Sequence, residues 1–272
     1  MKNIIKKITA SALALTLLGT GTIVKDYSGI EFLKNDQMLT ADAATETYIK
    51  YTDINDYINK VLRGQRKIKY MTYYVPTYHF LDWRTGRAYR DNPYDSKPDL
   101  GIPNEMNCTV ISVENLLIGY LSRYRGFKVN DAAYKSIYDD LIKVAKNNYG
   151  YTSGGGLDVW DNKPFCQEIM RRYGISNANV DTFSRYQWSI TLPNMPQKSF
   201  ILSSTVTNHS ILVYSTVTWH LEYRTKEGYQ MYEDVDFLEC YDPNGDHYLL
   251  EAGNIVDTWG IDLEQVMYVT NY

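Results

Sequence analysis

Three helix-period segments come first in this chain and a run of alternating strands follows, and that order limits the fold more than any other feature. Val110, Val113, Leu116, Leu117, Tyr120 and Leu121 recur at helical spacing between residues 108 and about 125. A second helix is expected over roughly Asn130 to Asn147, and a third over Asn162 to Tyr173, stopped by Gly174. From about residue 180 the pattern changes. Residues 199–204, 210–217, 230–232 and 236–241 are β-branched and alternating, as strands are. Helices followed by antiparallel strands make an α+β chain, with N-terminal helices packed on a C-terminal antiparallel sheet.

The N-terminal side is less regular. Lys2, Lys6 and Lys7 precede an uncharged, mostly apolar or small run from Ile8 to Val24, the layout of an export signal. Residues 1–44 are therefore expected to be signal peptide and leader, and the protein secreted or held at the cell surface. The mature form should have no membrane span, since the run is short for one. Residues 45–68 should hold a short helix or pro-segment, capped by Thr52 or Asp53, with Ile54, Tyr57, Ile58, Val61 and Leu62 inward. A strand is expected over residues 69–80, ending near Pro76, then a proline-rich loop to residue 107. Residues 69–272 form the remaining domain.

Bulk numbers exclude some functions. A net charge of −4 leaves no basic footprint for nucleic acid. The 26 tyrosines read as amphipathic packing residues of a β-rich exported domain, with a tyrosine-lined peptide or glycan groove as the alternative. The glycines at 154–156 follow no suitable strand and precede no Gly-Lys-Ser/Thr, so they read as a flexible surface loop rather than a phosphate cradle. Neither CxxC nor HExxH occurs, so no metal site is called. Three cysteines make an odd count for an exported chain. Cys166 and Cys240 fit an apparent helix and strand as buried small hydrophobes, which leaves Cys108.

Cys108 lies where a loop becomes an apolar helix. The helix N-terminus carries about half a positive charge, which favours thiolate over thiol. Nucleophilic catalysis then needs a base within reach and a group to orient that base. Of four histidines, His209 opens the apolar strand after Asn208, with its backbone fixed and its ring free to face a cleft. His220 sits in a hairpin arm, His247 in a polar turn, and His79 beyond Pro76. Asp242 precedes Pro243, which keeps the Asp backbone extended at a strand end. Asp-Pro-Asn-Gly is also a good turn with no chemistry attached.

Asn107-Cys108 before an apolar helix, Asn208-His209-Ser210 before a strand, and Tyr241-Asp242-Pro243 resemble the papain-like cysteine peptidases. The nearest branch is that of the bacterial bacteriocin-leader-processing peptidases, whose Val-Pro before the helix is matched by Val75-Pro76. The resemblance covers about residues 69–270. It implies a papain-like fold, a Cys108–His209–Asp242 triad, a thioester intermediate, a peptide or protein substrate, and no metal or organic cofactor. Two positions depart from the pattern. The family's Cys-Gly-Pro-Thr is here Cys108-Thr109-Val110-Ile111, and no glutamine lies between Val75 and Cys108 to donate to the oxyanion. Asn104, Asn107 or His79 is the expected substitute, beside the Cys108 N–H. The alternatives are another acyl transferase or amidase on the same triad, or a non-catalytic papain-fold module that binds peptides or surfaces.

Overall fold

A computed structural model describes residues 50–64, 68–82, 87–91, 93–94, 100–103, 106–184, 198–204, 209–252 and 265–271. The expected signal and leader, and Asn104, lie outside these residues. The class is α+β. α1 spans Ile54–Tyr57 and continues as a π-wound turn over Ile58–Arg63. Its cap is Asp53, whose side chain accepts from the Asp56 N–H. α2 (Cys108–Arg125), α3 (Asp131–Asn148) and α4 (Val159–Arg172) follow. Gly126 ends α2 with φ +66°, a left-handed conformation that glycine adopts without Cβ strain. α4 begins three residues before the expected start, because Asp158 caps it by accepting from the Trp160 N–H.

The strands are β1 (Ile68–Tyr78), β2 (Leu81–Asp82), β3 (Arg87–Ala88), β4 (Asn179–Ser184), β5 (Phe200–Ser204), β6 (His209–Thr225), β7 (Gln230–Tyr241), β8 (His247–Glu251) and β9 (Gln265–Asn271). β2 and β3 pair with each other, and the rest form one antiparallel sheet in the order β4-β9-β5-β6-β7-β8. β6 is long enough to pair with β5 near its start and with β1 further on, keeping β7 along its other side. β1 runs through Pro76 rather than ending there. The His79 N–H bonds the Thr216 carbonyl, so N–H groups directed at β6 alternate back through residues 77 and 75. Position 76 points away from β6, where proline's missing donor loses nothing.

Alternation along the strands sorts side chains onto two faces. Leu212 and Tyr241 join α2, α3 and α4 in one buried cluster. Ile211, Val213 and Cys240 lie in a second cluster with Phe80, Phe200 and Leu250. A third places α1 residues Ile54, Tyr57 and Leu62 on Val217, Leu221 and Phe237. α2 is buried almost all round from Thr109 to Ile118, beyond the single apolar stripe its periodicity suggests, because the sheet and two helices enclose it. Many tyrosines do pack in the core, Tyr57, Tyr134 and Tyr241 among the largest fully buried side chains. Cys166 and Cys240 are both buried and unbridged. No described helix is long and apolar enough to cross a membrane.

Candidate active site

Two pieces of local geometry bring distant residues together. The β6–β7 hairpin closes the 33-residue gap between His209 and Asp242. Leu212 pairs with Tyr241, so the start of β6 lies beside the residue that follows β7. The Asp242-Pro243-Asn244-Gly245 turn then fixes the acid. The Asp242 Oδ1 accepts from the Asn244 N–H at 3.0 Å, the Gly245 N–H reaches the Asp242 carbonyl at 2.8 Å, and Gly245 takes φ +96°. The second piece joins α2 to β6. Thr109 Oγ1 and Ser210 Oγ are 2.8 Å apart, and the Ser112 hydroxyl donates to the Ser210 carbonyl at 3.2 Å. Holding residue 109 against residue 210 sets Cys108 beside His209.

His209 Nε2 lies 3.0 Å from Asp242 Oδ2, and both side chains are essentially inaccessible to water. The Tyr248 hydroxyl donates to the same oxygen at 3.3 Å. With Nε2 given to the acid, Nδ1 is the ring nitrogen left on the Cys108 side, and the thiol is coupled electrostatically to His209 and to the Ser210 N–H. As a residue, Cys108 is partly exposed.

The electrostatics follow from this line of three groups. Burial pushes the Cys108 thiol up, but the His209 hydrogen bond and charge and the Ser210 N–H outweigh it, and the thiol is held below its ordinary value. Burial would discharge His209, yet its bonds to Asp242 and Cys108 raise it to about 10. Burial also opposes Asp242 ionisation, and the His209 hydrogen bond and charge overcome this and hold the carboxyl low. All three shifts run in the direction that favours thiolate, imidazolium and carboxylate together. The contrast is Cys166, pushed up to about 12 by burial alone, an inert core thiol.

The expected oxyanion donors fare differently. Asn107 is buried, and its amide spends both hydrogens, on the Pro103 carbonyl at 3.2 Å and the Tyr138 hydroxyl at 2.9 Å. It is a brace between α2 and α3, not a free donor. His79 is also misplaced as a candidate. It bonds Thr216 and Thr218, at least seven residues along β6 from His209, a strand length of about 23 Å. Asn104 lies outside the described residues. What remains is the helix end. Asn107 makes no side-chain cap, so the first N–H groups of α2, Cys108 included, are not taken up by its side chain.

The glycine loop also departs from expectation. Instead of standing loose on the surface, it is pinned to the segment that leads into Cys108. The Met106 N–H bonds the Ser153 carbonyl at 3.1 Å, and a Cβ at Gly156 would meet the Met106 carbonyl oxygen at 2.8 Å. Only glycine, at φ +69°, allows that approach.

Sequence reading also missed Tyr248, Ser210 and Glu114. A tyrosine hydroxyl has no positional signal, and Ser210 acts partly through its backbone. Glu114 was hidden inside an apolar helix. It is fully buried on α2, with neither carboxylate oxygen hydrogen-bonded. Burial and the nearby Asp139 raise it well above its ordinary value, and Tyr134, Tyr138 and Lys135 offset this only in part. The folded state thus retains a proton that the unfolded chain releases near pH 4, so Glu114 lowers stability as pH rises through that point. Replacing Glu114 with Gln is expected to stabilise the protein by about 1–3 kcal/mol at pH 7, with the gain vanishing below pH ~4. Urea unfolding at the two pH values checks this, and equal stability of both proteins at pH 7 would contradict it.

No family model, no curated protein and no solved structure matches this chain.

Proposed function

We propose that the chain is an exported cysteine peptidase with a papain-like arrangement of helices and sheet. The observation that carries the reading is a partly exposed cysteine at a helix N-terminus, coupled electrostatically to a buried histidine that is hydrogen-bonded to a buried aspartate. The Cys108 thiolate attacks the scissile carbonyl, and the negative oxygen that develops is met by the N–H groups at the start of α2. His209, protonated at Nδ1, gives that proton to the departing amine, leaving a thioester on Cys108 and a neutral imidazole. Water, deprotonated by the same nitrogen, resolves the thioester and regenerates the thiolate–imidazolium pair. Asp242 keeps the Nε2–H in place and stabilises the charged ring throughout.

The absence of a glutamine before Cys108 leaves the oxyanion more dependent on backbone donors. A lost side-chain donor typically costs about 10²–10³ in rate, so turnover slower than that of a fully equipped site is consistent with this reading. New primary amines released from a mixed peptide library, but not from purified peptidoglycan, are the expected result. Release from peptidoglycan alone would replace the peptidase reading with a cell-wall amidase. Release from neither would remove the hydrolase reading altogether.

A further inference from the structure

Past the catalytic end, β6 continues between β1 and β7, and the two faces of this three-stranded arm differ. α1 covers one of them. On the other face, side chains from the three strands line up in cross-strand rows. One row is Tyr70, Arg224 and Gln230, and there the Arg224 guanidinium lies 5.8 Å from the Tyr70 ring centroid. This is a cation already seated on a tyrosine face.

The next row is Tyr73, Glu222 and Tyr232. It has two tyrosines and a carboxylate but no cation. Two strand spacings set Tyr73 and Tyr232 about 10 Å apart, with Glu222 between them. The tyrosines are 54% and 73% exposed. Gln230 Nε2 holds the Glu222 carboxylate in place at 2.9 Å, and no described cation forms an ion pair with it. In the adjoining row His220 bridges Thr77 and Asp234 at 2.8 and 2.7 Å, which fixes a second acid on the same face. Exposed acid and ring faces together suit a cation and repel phosphate-bearing polymers. A cation attracted by a ring lies within about 6 Å of its centroid, and half the backbone span of this row is about 5 Å.

We propose that this row docks a basic polypeptide segment, with one lysine or arginine head held between Tyr73 and Tyr232 over Glu222. A polypeptide suits the place because β1 has a strand partner on one side only among the described residues. Its open edge beside Tyr73 offers backbone groups to an extended chain. Glu222 is 13 residues along β6 from His209, about 40 Å of strand, so docking here does not depend on the proposed hydrolysis.

The test uses the full chain carrying Cys108→Ala, so that no probe is cut. Fluorescence anisotropy follows a short labelled peptide of alternating arginine and serine, beside the same peptide with glutamate for arginine. Saturable binding of the basic peptide, weakening as salt is raised, is expected. Tyr73→Leu with Tyr232→Leu, which keeps apolar area but removes the rings, should weaken it about tenfold, and Glu222→Gln about threefold. Circular dichroism establishes that the variants fold. No saturable binding by the basic peptide overturns the proposal. So does equal affinity in the leucine variant, or equal binding of the acidic peptide or of a neutral soluble glycan.

Discussion

With His209 replaced by alanine, Cys108 is expected to react with iodoacetamide as a buried, ordinary thiol. In the native site the thiol is held below its ordinary value because His209 and the Ser210 N–H oppose the effect of burial. Removing the ring leaves burial, which pushes the thiol up. Each unit of pKa is a tenfold change in thiolate fraction. The alkylation rate changes by less, because a less basic thiolate is also a weaker nucleophile. A rate loss of about tenfold at pH 7, converging with wild type at alkaline pH, is the expected profile. Amine release should fall further, by about 10²–10⁴, since the leaving group also loses its proton donor. Stability falls too. Asp242 is fully buried, and removing the partner of a buried pair typically costs about 3–5 kcal/mol. Alkylation profiles that coincide in the two proteins would mean that no ion pair forms, and the non-catalytic binding module would become the better reading.

Pattern alone made part of this site legible. Asp242 could be placed near His209 because two apolar strands joined by a long hairpin must return side by side. Cys108 could be placed at a helix start because polar residues stop where the apolar period begins. The contact between Cys108 and His209 is a different matter. It depends on Thr109, Ser112 and Ser210 locking α2 onto β6, and small hydroxyls leave no periodic trace. The donor assignments show the same limit. Asn107 is adjacent to Cys108 in sequence, yet its side chain turns inward to Tyr138, a direction set by packing of α3. His79 looked near because it precedes the helix, but strand pairing carries it far along β6.

The fold was readable to a similar depth. α2 and α3 appear within a residue or so of their expected bounds, since long amphipathic segments reveal themselves. β4, β8 and β9 were not foreseen, and His247 was assigned to a turn although it opens β8. Strands this short owe their existence to a neighbour rather than to their own composition. The stretch around Asp234 broke the apparent alternation of residues 230–241 into two runs, the second opening at Asp236. The strand continues through them because His220 and Thr218 are their cross-strand partners on the exposed face, where carboxylates remain hydrated or bonded.

Asp242 separates orientation from charge, and two substitutions distinguish them. Asparagine retains an oxygen to accept the Nε2–H but carries no charge. Without that charge His209 should fall from about 10 toward its ordinary range. His209 must be protonated to release the amine, so wild-type activity should hold up to about pH 10 and decline above it. In Asp242→Asn the decline should begin one or more pH units lower, with the rate near pH 6 reduced far less than the rate at pH 9. Asp242→Ala loses the acceptor as well, and its loss should be about 10²–10⁴ across the range. Stability has the opposite pH signature. The Asp242 carboxyl is depressed in the fold, so its contribution is present above the unfolded value of about 3.9 and disappears as pH falls through the folded value. Asp242→Asn should therefore unfold at a pH less sensitive to acid than wild type does. An alkaline limb at the same pH in wild type and Asp242→Asn would show that Asp242 does not hold the charge on His209, and the triad would reduce to a Cys108–His209 pair.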